Sequence, residues 1–241
     1  MADPPRIRLS HFRIGGTPII VRRPAPVPRT AAVRTQRRGD RRRERLLEAA
    51  GELVERHALS NVTYAAICAR AGVPPSSAYH FYPDLDALFR ALLETGRAGF
   101  DAALLRPLRA AERRTWQAVV ECLVTRAAQY NRTHPVAARL AIGGETPPQL
   151  KRLDRDADRI RAGLALAVLE ELFVVPRMRH KRQVAFVATE IVDAVFTTSM
   201  IEAGRLTPAY VTLAKKAVIG FLGAYFGASL PRRPAKRQPA S

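Results

Sequence analysis

Apolar side chains recur as Leu46, Leu47, Ala50, Leu53 and Val54, the i, i+1, i+4, i+7, i+8 spacing of one helix face. Asp40 is a reasonable N-cap, so the pattern predicts a helix starting there. The stretch at 63–84, TYAAICARAGVPPSSAYHFYPD, then predicts a short helix, a tight reversal and a second short helix. Thr63 can accept a backbone N–H at the first helix's start. Ala66, Ile67 and Ala71 share its inner face, with Arg70 directed away. Gly72 stands at the reversal, where glycine alone takes the left-handed conformation without steric cost. Pro74 and Pro75 suit the first turn of the next helix. The arrangement predicts a helix-turn-helix whose second helix carries Ser76, Ser77, Tyr79 and His80.

Beyond it the periodicity stays helical, with no convincing strand. A fourth helix is expected from Pro83 or Asp84 to about Leu105, with Leu88, Leu92 and Phe100 inward. Others are expected at about 112–131, on to about Ile142 after the break at Thr133-His134-Pro135, from Pro147-Pro148 to Val174, at 181–203 and at 208–227. The fold class is all-α: a three-helix N-terminal DNA-binding domain with helix-turn-helix, plus a larger helical domain. The boundaries read as a disordered basic arm at 1–39, the helix-turn-helix DNA-binding domain at 40–83, a larger helical domain at 84–230, and a disordered basic tail at 231–241. The arm is rich in Arg and Pro without sustained period, apart from a transient extended piece near 19–21.

Charge sharpens this division. The net +19 is concentrated at the ends: +10 falls in residues 1–45 and +4 in 231–241, leaving +5 for the rest. Such arms attract polyanions, or simply solubilise. The N-terminal arm could follow a DNA backbone or enter a minor groove. Arg41, Arg42 and Arg43 sit where a DNA backbone would pass.

Two cysteines, Cys68 and Cys122, make no disulfide framework or metal site, and a reducing cytoplasm is the simplest inference. No signal peptide is expected. The apolar stretches 162–175 and 184–201 contain Glu170 and Glu171, and Glu190 and Asp193, so neither reads as a membrane span. Asp154-x-Asp156-x-Asp158 starts like a calcium loop, but Arg159 replaces the needed Gly and Ala165 the bidentate Glu. With Arg152, Arg155, Arg159 and Arg161 it reads as a charged helix face of i, i+3 and i, i+4 pairs. The five histidines lack ligand spacing, and neither a phosphate loop nor a nucleophile turn occurs. Neither catalysis nor a cofactor is expected.

Taken together, Arg45-Leu46-Leu47-x-x-Ala50, Leu53, Thr63-x-x-x-Ile67, Ala71-Gly72-Val73, Ala78-Tyr79-His80-Phe81-Tyr82 and Ala87-Leu88-Phe89 resemble the N-terminal domain of the TetR family of bacterial transcription regulators. Leu85 stands where the family usually has a phosphate-contacting lysine, and Tyr82 where it commonly has phenylalanine. The resemblance implies that Tyr79 anchors a phosphate while Pro75, Ser76, Ser77 and His80 face the major groove. Thr63 would meet the backbone at a helix N-terminus, which favours an anion. Tyr82 closes the aromatic run and is grouped with these contacts.

The family likeness further implies that 84–230 is a ligand-binding (effector-binding) and dimerisation domain, whose cavity is coupled to DNA binding through the fourth helix. Trp116, Tyr130, Phe186 and Met200 are candidate apolar walls, and Cys122, Arg126, Asn131, His134 and Thr189 candidate polar contacts. A two-fold dimer surface is expected on the last two helices. Val184, Val187, Ile191, Ala194 and Val195 form one stripe, and Gly220, Gly223, Ala224 and Gly227 another, whose small residues allow close approach within the protomer or across a two-fold axis. The resulting expectation is a homodimeric cytoplasmic regulator, a repressor of a near-palindromic double-stranded operator released by a small-molecule effector. The alternative is a less sequence-selective architectural nucleic-acid-binding protein driven by its basic tails.

Overall fold

The computed structural model describes residues 12–14, 17–19 and 29–234. The chain divides into two compact units, Met1–Arg41 and Arg42–Ser241. In the first, β1 (Phe12–Ile14) pairs antiparallel with β2 (Thr17–Ile19), Phe12 opposite Ile19. The segment expected to lack regular structure therefore contains a short ladder, and the extended piece falls slightly before 19–21. The rest of the expected arm, 1–11, 15–16 and 20–28, lies outside the described residues.

Helix α1 spans Arg29–Arg56, so it begins well before Asp40. No proline interrupts 29–73, and Ala31, Ala32, Gln36 and the arginines are good helix formers. These carry the helix through Gly39, whose cost relative to alanine is about 1 kcal/mol. Asp40 is thus an interior residue rather than a cap. The other helices are α2 (Tyr64–Ala71), α3 (Pro75–Ala78), α4 (Leu85–Leu104), α5 (Trp116–Thr133), α6 (Pro135–Ala141), α7 (Pro148–Leu172), α8 (Lys181–Ala203) and α9 (Pro208–Phe226). Side-chain caps set several starts: Asp84 Oδ1 accepts from Ala87 N at 2.6 Å, and Thr115 Oγ1 from Ala118 N at 3.1 Å.

Two apolar cores form. Leu46, Ala50 and Val54 of α1 pack with Ile67, Val73, Ala78 and Phe89, and Leu140 of α6 and Leu150 of α7 join them. The second core gathers Trp116, Val119, Val124, Phe173, Phe196, Val218 and Phe226. Polar ties link the head to the body. Arg139 of α6 donates to the Val54 and Glu55 carbonyls at 2.7 and 3.1 Å, groups that the end of α1 leaves without helical partners. Tyr130 of α5 donates to Gly96 O of α4 at 2.7 Å, and a Cβ at Gly99 would lie 2.7 Å from that hydroxyl.

The segment after α9 is not free. Val174 N donates to Pro231 O at 2.8 Å, and Arg233 N to Leu172 O at 3.0 Å. Between them Arg232 bridges Phe173, lays its guanidinium 5.4 Å from that ring's centre and donates to Arg113 O. The expected tail thus begins as a strap paired to the end of α7, and 235–241 lie outside the described residues.

Candidate functional site

The turn between α2 and α3 is closed by backbone geometry. Gly72 adopts φ 58° and ψ 38°, with Gly72 N donating to Ala69 O at 3.2 Å and Val73 N to Cys68 O at 3.1 Å. This crossed pair satisfies carbonyls that the helix end would leave open. Thr63 Oγ1 caps the other end, accepting from Ala66 N at 3.2 Å. Gly72→Ala should destabilise the protein by about 1–2 kcal/mol, the usual cost of left-handed backbone for a residue with a Cβ. The new Cβ would also meet Arg45 Nη2 at 2.7 Å, but that is the tip of a flexible side chain and can swing away. Thermal or urea denaturation reads the loss.

Following the turn, α3 presents a compact polar surface. Pro75, Ser76, Tyr79 and His80 are exposed, and Ser77 is half-buried. Tyr79 is 54% exposed, yet its ring is held in place, stacked on Tyr64 with centroids 4.8 Å apart and planes 9° apart. Tyr64 in turn donates to Tyr82 O at 2.6 Å. Burial, followed by Cys68, Tyr79, Asp84 and Tyr82, pushes the Tyr64 hydroxyl up to about 12, so it remains a donor. Sequence reasoning missed this shelf because Tyr64 opens α2 and no helical period links it to Tyr79.

Tyr82 is a correction. It is only 6% exposed and packs in the head's core, leaving no face for DNA. Burial raises its hydroxyl's pKa against the lowering pull of Arg43. Arg41, Arg42 and Arg43 are exposed, and the Arg43 guanidinium lies 5.5 Å from the centre of the Phe81 ring. Leu85 is half-buried against the same core, consistent with an apolar residue there.

In the body, a cavity of about 170 Å³ lies among α4, α5, α7, α8 and α9. Its apolar wall includes Leu104, Leu123, Val124, Leu166, Val192 and Phe226, while Asp101, Asp158, Arg161 and Asp193 form a polar end. The last three also line a smaller cavity of about 40 Å³ that reaches α4. Of the expected pocket residues, Arg126 and Thr189 line the main cavity, and Tyr130 and Asn131 the smaller one. Cys122 lines a polar, solvent-open recess instead, its thiol pKa raised chiefly by burial.

The remaining pocket candidates line neither cavity. Trp116 is 1% exposed, edge-on to Phe226 in the core. His134 is exposed and stacks on Tyr130, Phe186 lies beneath the Arg159 guanidinium, and Met200 packs against the second core. Arg126 is engaged as a clamp, donating to the Leu104, Arg106 and Pro107 carbonyls and to Glu112.

The aspartate run on α7 also differs from expectation. Asp154, Asp158 and Arg161 share the inward face with Leu150, Ala157, Ala162 and Leu166, and Asp158 is 5% exposed. Arg161 reaches Asp101 at 2.8 Å, Asp158 at 2.9 Å and Asp154 at 3.6 Å. Burial raises the Asp154 pKa to about 6, with Asp158 adding to it and Arg161 and Arg97 opposing. Burial likewise raises Asp158 against the pull of Arg161. The i, i+4, i+7 spacing, in phase with the leucines, was the signal that could have placed these charges inside.

The dimer candidates lie toward the protomer's surface. Val184, Val187, Ile191 and Val195 are half-buried and Ala194 exposed; Gly220, Ala224 and Gly227 are exposed and Gly223 half-buried. A Cβ added at Gly220 or Gly223 would meet nothing within 4 Å. Close packing inside the protomer therefore does not account for these glycines.

Comparison with known proteins agrees with this anatomy. A model described as "Bacterial regulatory proteins, tetR family" matches residues 46–92, and one described as "Tetracyclin repressor-like, C-terminal domain" matches 114–226, together about two thirds of the chain. Among curated proteins nothing matches. Solved structures share the fold. A TetR-family transcriptional regulator from Streptomyces coelicolor is 18% identical with a TM-score of 0.59, the match covering 76% of this chain and 99% of that one. A TetR regulator from Rhodococcus sp. RHA1 is 19% identical over 78% and 97% of the two chains, TM-score 0.54. RolR, solved in complex with the ligand resorcinol, is 16% identical over 81% and 98%, TM-score 0.53. The matches to both the reading head and the helical body place the chain in the TetR family, as a sequence-specific DNA-binding transcription regulator.

Proposed function

We propose that the protein is a homodimeric repressor of a near-palindromic operator, acting in the cytoplasm and released by a small molecule that enters the main cavity. The observation that carries this reading is the ion pair between Arg161, at the cavity's polar end, and Asp101 on α4, the helix that follows the reading head. A ligand that disturbs the cavity's polar end acts directly on α4. Shifting α4 changes the spacing of two heads that must meet successive turns of the groove. The ligand shifts the equilibrium only by binding the two states unequally. RolR, which has the same fold, carries resorcinol, and that supports an effector for this chain.

Exposed Ser76, Tyr79 and His80 supply the DNA contacts: Tyr79 to phosphate, the others to base edges, with Arg41–Arg43 on the backbone. The dimer reading rests on α8 and α9. Ile201 of α8 is 65% and Leu213 of α9 51% exposed in the lone protomer, and Gly220 and Gly223 of α9 face open space. By length and hydropathy α8 could cross a membrane; its Glu190 and Asp193 and its packing in the second core fit an interface helix better.

Titration of an operator and a random duplex at one fixed salt concentration tests the function. A preference of about 10³ or more is expected, and a ratio near unity would instead mark an architectural binder.

A further inference from the structure

The polar end of the cavity has more carboxyls than cations to meet them. Arg161 is shared by Asp101, Asp158 and Asp154. Arg126 is taken up by three carbonyls and Glu112, and Lys181 by Glu170. Asp193 of α8 lines the cavity beside Asp158, and among the described residues no Lys or Arg nitrogen lies within 4.0 Å of its carboxylate.

The groups facing Asp193 are few. They are Asp154, Asp158 and Arg161 from α7, Glu190 from α8 (held by Arg155 at 3.1 Å), Arg97 and Asp101 from α4, and Tyr130 from α5, whose hydroxyl is already bonded to Gly96 O. From α9 only apolar side chains, Val218, Leu222 and Phe226, reach the cavity. Burial first, then Asp158, Asp154 and Glu190, holds the Asp193 carboxyl well above the usual aspartate range. The carboxyl cluster around Asp193 therefore favours a cation at this end of the cavity.

The other walls are almost wholly apolar. A cavity of about 170 Å³ is close to the roughly 150 Å³ that accommodates a benzene ring in an engineered protein core. We propose that the effector is a single-ring organic cation, a primary ammonium on an aryl or cycloalkyl body, with its ring among Leu123, Leu166 and Val192 and its ammonium between Asp193 and Asp158. This rests on the reading of the cavity as the effector site. On binding, the ammonium enters and the Asp193 proton leaves to solvent, so the net charge of the pocket is unchanged and no covalent bond is made. The incoming cation also competes with Arg161 for Asp158, which loosens the hold of Arg161 on Asp101 and α4. A neutral ring would leave the Asp193 carboxyl without a cation, and an anionic ring would face the carboxyls.

The full-length protein on its operator is titrated with 2-phenylethylamine, 2-phenylethanol and phenylacetate, and binding heat is measured in buffers of different ionisation enthalpy. The amine should bind and release DNA, at least about tenfold more tightly than the alcohol, a gap of about 1.4 kcal/mol. It should release protons, and its affinity should rise with pH through the range in which free Asp193 titrates. Asp193→Asn should remove both the preference and the proton release. Since asparagine mimics the neutral acid, that variant should melt no lower than the wild type, with the largest gain at alkaline pH. Equal or tighter binding of the alcohol or acid, absence of proton release, or a preference that survives Asp193→Asn would overturn the cation assignment and leave the effector cavity standing. If none of the three compounds binds or moves the operator equilibrium, both readings fall.

Discussion

Replacing Arg161 with methionine should lower the free energy of unfolding at neutral pH by about 3–5 kcal/mol, the range for removing one partner of a buried ion pair. The Arg161 side chain is 13% exposed, and its partners Asp154 and Asp158 are 14% and 8% exposed. Without the guanidinium, those carboxyls must ionise unpaired or hold protons. The loss should therefore shrink as the pH falls. Asp154 already titrates near 6 beside the arginine, and removing the arginine can only raise it. A folded-state pKa above the unfolded value means that protonation favours the fold, so the variant regains stability on passing downward through that value. Urea denaturation at pH values on either side of 6 reads both effects. A deficit below about 1 kcal/mol, the range of exposed pairs, would mean that water already serves these carboxylates.

The second large effect should come from Ala194→Arg. Ala194 is exposed on α8 in the protomer, so the fold should tolerate the change within about 0.5 kcal/mol. Across a two-fold interface the substitution places two like charges near each other and fills space meant for close approach, a penalty of several kcal/mol. Sedimentation should show dimers for the wild type and monomers for the variant. Operator affinity should fall by about a hundredfold or more, since a single head engages one half-site, and each tenfold is about 1.4 kcal/mol. A dimer that persists with full affinity would place the contact on another surface.

The reading head was legible because its determinants are local. Thr63, Gly72 and Pro75 dictate caps and a turn within a few residues, and each does in space what its chemistry suggests. The helix order of the body followed from periodicity with similar ease, and α8 has the predicted bounds, Lys181–Ala203. Tyr82 went astray because an aromatic close behind the exposed Tyr79 and His80 gives no sign of which way its ring turns; the Tyr64 hydroxyl on its carbonyl shows that this stretch faces in. The start of α1 was misplaced because Asp40 has cap chemistry, while nothing before it stops a helix until Pro28.

The cavity was the least legible feature. Its walls come from five helices far apart in sequence, so no local pattern could assemble them. Aromatic and sulfur side chains such as Trp116 and Met200 looked like pocket walls and instead fill the core. The charges at 154, 158 and 161 looked solvated, because charge is usually a surface property. Their phase with Leu150 and Leu166 was the better guide.

The strap formed by residues 231–233 bears on how the chain's end can be altered. Phe173 is only 1% exposed, and the Arg232 guanidinium forms part of its cover. A chain terminated at Leu230 would bare an aromatic ring, strip a hydrogen-bond partner from both Val174 N and Leu172 O, and free the end of α7, a helix that lines the cavity. A purification handle placed after Pro234 leaves that seam closed; shortening the protein by those few residues opens it.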